Sequence, residues 1–227
     1  MRLVGRRRPL QKSVARPAVP GIYVLAGPNG AGKSSLMGES ILAADLTFFN
    51  PDVYARQLRE SNPNLSFFES NSLAWNWGRD SLETAISTRQ QWAFETTLGG
   101  DTITAMLRAA ALMGIPLTIW YVGLETAELH INRVAARVAK GGHPIPSNDI
   151  YKRFINGPLN LISLMPHISV LKVFDNSADT PPETAERVSP KLLLEVSNGI
   201  VNAPAIRKCP SWAKPIIAAA RLQFSAP

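Results

Sequence analysis

The sequence lacks most of what disulfide-stabilised, metal-binding and membrane proteins contain. Cys209 is its only cysteine, which excludes an internal disulfide bond and a cysteine metal cluster and favours a reducing, cytoplasmic setting. The three histidines, at positions 130, 143 and 167, do not have the spacing of a zinc site. No apolar run reaches the length of a membrane span, since the longest, near residues 115–124, has the length of a buried strand. We therefore expect a globular protein without a membrane span.

Acidic residues are absent from the first twenty positions, although these positions hold six of the 24 basic residues. Without these six, 18 basic residues stand against 17 acidic ones, so the formal net charge falls from +7 to +1. The composition predicts a disordered basic arm over residues 1–20. A nucleic-acid or membrane-surface arm and an organelle transit peptide are functional alternatives. We favour the simpler interpretation, an extended start or a solvated tail, and expect no nucleic-acid partner because the rest of the chain is nearly neutral.

Residues 21–227 are long enough to form one α/β domain. Apolar segments of strand length alternate with helical patterns, which predicts βαβ units and a mostly parallel, five-stranded sheet flanked by helices. The predicted strands cover residues 21–26, 46–50, 92–98, 115–124 and 169–174, and the helices cover residues 35–44, 52–59, 67–91, 101–113, 126–140 and 151–165. A small hairpin over residues 192–201 and a helix over residues 212–222 follow.

The sequence GPNGAGKS, residues 27–34, lies between the first predicted strand and the first predicted helix. It fits the phosphate-binding loop pattern G-x-x-x-x-G-K-[ST], for which a chance match in this chain is below about 1%. A strand, a glycine turn and a helix start direct backbone N–H groups at one point, where nucleotide phosphates bind. Lys33 is predicted to reach the β- and γ-phosphates, and the Ser34 hydroxyl to ligate Mg²⁺. The predicted ATP-binding residues are Gly27, Pro28, Asn29, Gly30, Ala31, Gly32, Lys33, Ser34 and Ser35.

Three acidic residues end or follow predicted strands, so we expect them at the carboxyl edge of the sheet, beside the phosphate loop. Asp52 has three interpretations: a general base for an attacking hydroxyl, a helix N-cap after a proline turn, or a Mg²⁺ ligand. Glu95 lies in an apolar strand, where a carboxylate is costly unless paired, and this favours a functional role. Thr96 and Thr97 beside it either bind substrate or simply suit a strand. Asp175, which follows the fifth predicted strand, is the third of these acidic residues.

Arg133 and Arg137 lie four residues apart and therefore share one face of a predicted helix. Glycines at 141–142 follow, and Arg153 lies on the next predicted helix. Phosphoryl transfer needs positive charge on the transferring group, and a glycine-hinged segment that carries arginines suits a closing lid. The alternative is a solvated basic helix face. His143, next to the glycines, is interpreted as a structural or hinge residue rather than a ligand.

Six segments occur in order over residues 21–177: GPNGAGKSS, FFNPD, FETTL, RVAARVAKGGHPIP, RF with GPLNL, and FDNS. This ordered set resembles the zeta toxin family of P-loop kinases, in its bacterial predicted-ATPase branch. Many families share the first segment, whereas FETTL and GGHPIP are more specific. The resemblance implies the zeta toxin fold over residues 21–227 and a kinase that uses ATP and Mg²⁺. Family members of known activity phosphorylate UDP-N-acetylglucosamine on a sugar hydroxyl.

The resemblance also implies roles for individual residues. Lys33 would stabilise the transferring phosphate, Asp52 would be the base, and Glu95 would be an acid on the substrate side. The charge-neutralising arginines would be Arg153 and either Arg133 or Arg137. The implied partners are a small-molecule hydroxyl acceptor, a nucleotide sugar among the candidates, and an antitoxin protein. The substrate-side insertion is shorter than in the toxins, so the phosphoryl-transfer residues carry over better than the sugar-nucleotide substrate.

Two other functions compete with a kinase. A P-loop ATPase that drives conformational change without a small-molecule acceptor is expected to have an apolar strand ending in Asp and then Glu, and the sequence has no such strand. A nucleic-acid-binding protein that uses the basic arm would lose salt-sensitive binding when residues 1–20 are deleted.

Overall fold

The computed structural model describes residues 21–36, 48–178 and 189–224, except for the side chains of Ser34 and Ser35. The predicted arm, residues 1–20, and most of the first predicted helix lie outside these ranges. The strands are β1 (Ile22–Ala26), β2 (Trp92–Thr96), β3 (Leu117–Gly123), β4 (Val170–Asp175), β5 (Lys191–Ser197) and β6 (Ile200–Asn202). The α-helices are α1 (Lys33–Leu36), α2 (Pro51–Ser61), α3 (Phe67–Thr88), α4 (Asp101–Leu112), α5 (Ala127–Val138), α6 (Ser147–Leu164) and α7 (Lys214–Phe224).

One sheet joins all the strands of the described residues, in the order β2-β1-β3-β4-β5-β6. The strands β1 to β4 run parallel, whereas β5 and β6 are antiparallel to their neighbours. The prediction of an α/β fold with a mostly parallel sheet is therefore confirmed. The predicted hairpin is part of this sheet, since its first strand pairs with β4.

The core covers both faces of the sheet, because alternate residues of a strand point to opposite faces. Val24 and Ala26 of β1 belong to a large cluster that includes residues of α3, α4, α6 and α7. Leu25 belongs to a smaller cluster with Trp120 and Phe174 on the other face. Strands buried on both faces are apolar along nearly their whole length, as β1 and β3 are. The phosphate loop therefore follows one of the most deeply buried strands.

The second predicted strand, residues 46–50, is wrong in the part that the structure describes. Phe49 forms only a single parallel bridge with Phe94 of β2. Pairing ends there because Asn50 is the N-cap of α2, with its Oδ1 accepting the backbone N–H of Asp52 at 2.9 Å. The helix-capping interpretation of Asp52 is wrong for the same reason, since Asn50 has that role and Asp52 lies in the first turn.

Helix α6 begins at Ser147, four residues earlier than predicted, and contains Pro158 in its interior. Gly157 packs against the hydroxyl of Tyr121 in β3, and a Cβ at position 157 would lie 2.6 Å from that oxygen. This close contact leaves no room for a side chain at position 157 between α6 and β3. None of the described helices is long and apolar enough to cross a membrane.

We predict that Gly123→Ala destabilises the fold by about 1–3 kcal/mol, because an added side chain would overpack the core. A Cβ at this position would lie 2.5–2.7 Å from three ring atoms of Trp212. Urea unfolding measures the free energy of unfolding. Gly100→Ala is the matched control, because a Cβ there meets nothing within 4 Å. Equal free energies of unfolding for the two variants would contradict the prediction.

Candidate active site

The phosphate loop, residues 27–34, connects β1 to α1 along a path that requires glycine. Gly27, Gly30 and Gly32 have φ values of 139°, 77° and 80°, which side chains disfavour. A Cβ on Gly27 would also overlap the carbonyl oxygen of Val122 in β3. The loop therefore lies directly against the central strand. The Ser34 hydroxyl, predicted to ligate Mg²⁺, lies outside the described side chains.

Two helices hold the middle of the loop through Asn29. The Nδ1 of His130 in α5 lies 2.8 Å from the backbone oxygen of Asn29. Arg153 in α6 donates from Nη1 to the Asn29 Oδ1 at 2.6 Å. Gly30 fits against the backbone of His130, where a Cβ would lie 2.5 Å from the carbonyl oxygen. The sequence does not predict these contacts, because 101 residues separate His130 from Asn29 and no local pattern marks the pair.

Lys33 and two of the predicted acids share one electrostatic environment. The Lys33 Nζ donates to the carbonyl of Gly27 at 2.9 Å. Burial lowers the pKa of Lys33, while the carboxylates of Glu95 and Asp52 act in the opposite direction. These interactions agree with the prediction that Asp52 and Glu95 lie at the carboxyl edge of the sheet, beside the phosphate loop.

Glu95 carries a largely buried carboxyl group. Burial raises the pKa of Glu95, against the opposing effects of Lys33 and of a hydrogen bond from Asn50. Its Oε1 is buried and has no hydrogen-bond partner among the described residues. A buried oxygen without a partner is costly. This atom is therefore suited to accept a hydrogen bond from a bound ligand.

A cleft of about 900 Å³ opens beside the loop. Its lining includes six of the predicted site residues, which are Asn29, Asp52, Glu95, Thr96, Thr97 and, from α6, Arg153. The Thr96 and Thr97 hydroxyl oxygens accept backbone N–H groups of the following loop at 3.1 and 3.4 Å. Each hydroxyl keeps its own proton to donate, so both can still bind a substrate.

Helix α3 forms one wall of the cleft, and the predicted site residues include none from this helix. Phe68, Asn71, Trp75 and Arg79 lie on the side that lines the cleft. Phe68 is 80% exposed and Trp75 is 45% exposed. Their spacing of three and four residues places them on one helical face. Aromatic and polar residues at this spacing were the signal that could have identified the wall.

The three predicted arginines lie in different places. Arg153 lines the cleft and contacts the phosphate loop. Arg137, in the last turn of α5, donates from Nη2 to the carbonyl oxygen of His143 at 3.2 Å. Arg133 donates to the backbone oxygens of Asn176 and Ala178 at 2.8 and 3.3 Å. The shared helix face of Arg133 and Arg137 therefore does not bring both guanidinium groups to the cleft.

Residues 139–146, the lid, connect α5 to α6. Gly141 has a φ of 88°, so the predicted glycine hinge lies where the chain turns away from α5. His143, Pro144, Ile145 and Pro146 of the lid line the cleft. Within the described residues, no group of three or more His, Cys, Asp or Glu side chains is arranged to hold a metal ion.

Comparisons with known proteins show the fold. No family model matches the chain. An uncharacterized protein of Haemophilus influenzae is 28% identical over 128 residues, which cover 56% of this chain and 88% of that protein. Crystal structures of the AvrRxo1-ORF1:AvrRxo1-ORF2 complex with sulphate ions and with ATP each match with a TM-score of 0.61 and 15% identity, over 81% and 82% of this chain.

This chain spans about three fifths of the AvrRxo1 chains that it matches, 60% and 61% of their lengths. A structure from the PezAT chromosomal toxin–antitoxin system of Streptococcus pneumoniae matches with a TM-score of 0.52 and 12% identity, over 74% of each chain. The comparisons therefore show an α/β fold that this chain shares with chains of the AvrRxo1 and PezAT structures.

We predict that the protein loses stability as the pH falls from about 6.5 to about 4, because His130 is buried in its neutral form. Burial lowers the pKa of His130 from 6.5 to about 4. Over this interval the unfolded chain binds a proton that the folded chain does not, so the free energy of unfolding falls by at most about 3 kcal/mol.

Urea unfolding at a series of pH values tests this prediction. His130→Gln cannot titrate in this range, so its stability should depend less on pH than that of the wild type. The same pH dependence in both proteins would contradict the assignment.

Proposed function

We propose that this protein is an ATP-dependent kinase of the zeta toxin type that phosphorylates a hydroxyl group of a small molecule. The observation that carries the proposal is that Asp52 and Glu95 line one cleft and interact electrostatically with Lys33 of the phosphate loop. The P-loop kinase fold supports this reading, and so does the presence of ATP in a structure of the AvrRxo1 complex.

ATP would bind along residues 27–35. The positive φ values of Gly27, Gly30 and Gly32 support this assignment, because glycine readily adopts the turn that directs backbone N–H groups at a phosphate. The Ser34 hydroxyl is an oxygen ligand of the kind that Mg²⁺ prefers. Mg²⁺, when bound, neutralises charge on the β- and γ-phosphates. Lys33 would exchange its hydrogen bond with the Gly27 carbonyl for one with a phosphate oxygen.

Asp52 is the proposed general base. Its side chain is 46% exposed and lines the cleft, so an acceptor hydroxyl can approach it. Asp52 accepts the hydroxyl proton as the acceptor oxygen bonds to the γ-phosphorus and the bond to the ADP oxygen breaks. Arg153 is held beside the phosphate loop by Asn29 and would neutralise charge on the transferring group.

The proposed acceptor is a sugar hydroxyl of UDP-N-acetylglucosamine or a related nucleotide sugar. A cleft of about 900 Å³ has the size of a small-molecule site. The exposed rings of Phe68 and Trp75 can stack on the planar or apolar faces of such a ligand. Glu95, with its unpartnered Oε1, can accept a hydrogen bond from a sugar hydroxyl.

An antitoxin-like protein partner and a cytoplasmic location belong to the same proposal. Two observations support such a partner. The AvrRxo1-ORF1 structures contain a second protein, ORF2, and the PezAT structure comes from a toxin–antitoxin system.

The kinase activity is tested by incubating the purified protein with ATP, Mg²⁺ and a panel of nucleotide sugars. Mass spectrometry should detect an acceptor that has gained one phosphate. ATP hydrolysis that no acceptor accelerates, with no phosphorylated product, would instead support the ATPase without a small-molecule acceptor.

We predict that Asp52→Asn lowers kcat for transfer at least about a hundredfold and leaves ATP affinity unchanged, because an amide cannot accept the hydroxyl proton. Glu60→Gln makes the same chemical change on the exposed end of α2 and is the matched control. Lys33→Ala should weaken nucleotide use, with Lys208→Ala, at an exposed lysine outside the cleft lining, as its control. Steady-state kinetics and ATP-binding titrations measure these effects. A wild-type kcat for phosphoryl transfer in Asp52→Asn would contradict the assignment of Asp52 as the general base.

We also predict that Arg153→Ala lowers kcat about a thousandfold, whereas Arg133→Ala lowers it less than about tenfold. The physical reason is that Arg153 lines the cleft and contacts the phosphate loop, whereas Arg133 donates to backbone carbonyls beside β4. The measurement is kcat for both variants, with thermal unfolding as a check on folding. A larger loss in Arg133→Ala than in Arg153→Ala would reverse the assignment.

A further inference from the structure

The lid reaches the candidate base through one side chain, that of His143. The His143 Nε2 lies 3.6 Å from the Asp52 Oδ2, so α2 and the lid meet at this point. The imidazole is largely buried, with 21% of the side chain exposed. If His143 served only as a hinge residue, it would not need to be buried beside Asp52.

An aromatic side chain supports the imidazole from α3. The rings of His143 and Phe67 are 5.3 Å apart, centroid to centroid. The guanidinium of Arg59, on α2, lies 5.0 Å from the centre of the Phe67 ring and also donates to the Ser70 hydroxyl at 2.6 Å. The surface on which His143 rests is therefore itself held in place by two helices.

The lid is also folded tightly onto the end of α5. The Arg137 Nη2 donates to the His143 carbonyl oxygen at 3.2 Å and lies 3.4 Å from its Nε2. The Gly142 backbone N–H donates to the Arg137 carbonyl at 3.0 Å. A Cβ at Gly142 would lie 2.8 Å from the Arg137 Cγ. The lid can therefore fold back along Arg137 only with glycine at position 142.

Three charged groups act on His143. Burial lowers the pKa of His143, Asp52 acts to raise it, and Arg137 and Arg59 act to lower it further. Asp52 and Arg59 belong to α2 and Arg137 belongs to α5. The imidazole thus lies between a carboxylate on the acceptor side of the cleft and a guanidinium on the lid side.

We propose that His143 is a positioning residue that docks the lid on Phe67 and Asp52 and thereby holds Arg137 and the candidate base in a fixed relation. Its effect on phosphoryl transfer rests on the proposed function, whereas the docking itself is a property of the folded chain. A residue that orients two groups of a site can change kcat strongly without touching the substrate.

Histidine NMR titration tests the docking without any acceptor. The chain has three histidines, and loss of one imidazole signal in His143→Asn identifies that of His143. Asp52→Asn should lower the pKa of His143, because it removes the carboxylate that favours the charged imidazole. Arg137→Gln should raise this pKa, because it removes a neighbouring positive charge. The His167 signal, from a segment outside the cleft lining, is the internal reference. An unchanged His143 titration in both variants would overturn the proposal.

The kinetic arm tests the positioning. His143→Asn should lower kcat about tenfold or more while KM for ATP changes less than about twofold. His167→Asn, the control, should leave both parameters unchanged. A wild-type kcat in His143→Asn would overturn the proposal even if the NMR shifts occur. If the wild type phosphorylates no acceptor, the proposed function fails, and the docking is then decided by the NMR titration alone.

Discussion

The contact between Gly27 and the carbonyl of Val122 is the constraint on which the rest of the site depends. It places the phosphate loop against the most buried part of the sheet, and only glycine fits there. Helices α5 and α6 hold the loop on a second side, through Asn29. The end of β4 holds it on a third side, because the side-chain amide of Asn176 donates to the carbonyl oxygen of Ala31 at 2.8 Å. The loop is thus fixed by contacts with three other elements of the protein itself.

The parallel register of the sheet then determines which charges surround the loop. Leu25 of β1 pairs with Glu95 of β2 and with Trp120 of β3, so the ends of these strands lie at one level. Asp52 reaches the same edge because its segment bridges to β2 just before α2 begins. Burial shifts the pKa of Lys33 down and that of Glu95 up, and each group partly offsets the desolvation of the other.

The acceptor side of the cleft is built as one unit from α2 and α3. A capping box, in which Ser66 and Glu69 bond reciprocally, starts α3 at the cleft. The hydrogen bond from Arg59 to Ser70 ties this first turn to α2, which carries the candidate base. The wall and the base therefore have a fixed mutual geometry, while the lid reaches both from the opposite side.

Local patterns in the sequence were sufficient for the phosphate loop, the alternation of strands and helices and the position of Asp52 and Glu95 at one edge of the sheet. These features depend on a turn that needs glycine and on strands that need apolar runs, and both are visible in neighbouring residues. Only the tertiary structure decided that Arg153 rather than Arg133 lines the cleft, that His130 holds Asn29, and that residues 46–50 supply one bridge instead of a strand. Such contacts join residues far apart in the chain, because the position of each helix follows from burial summed over the whole core.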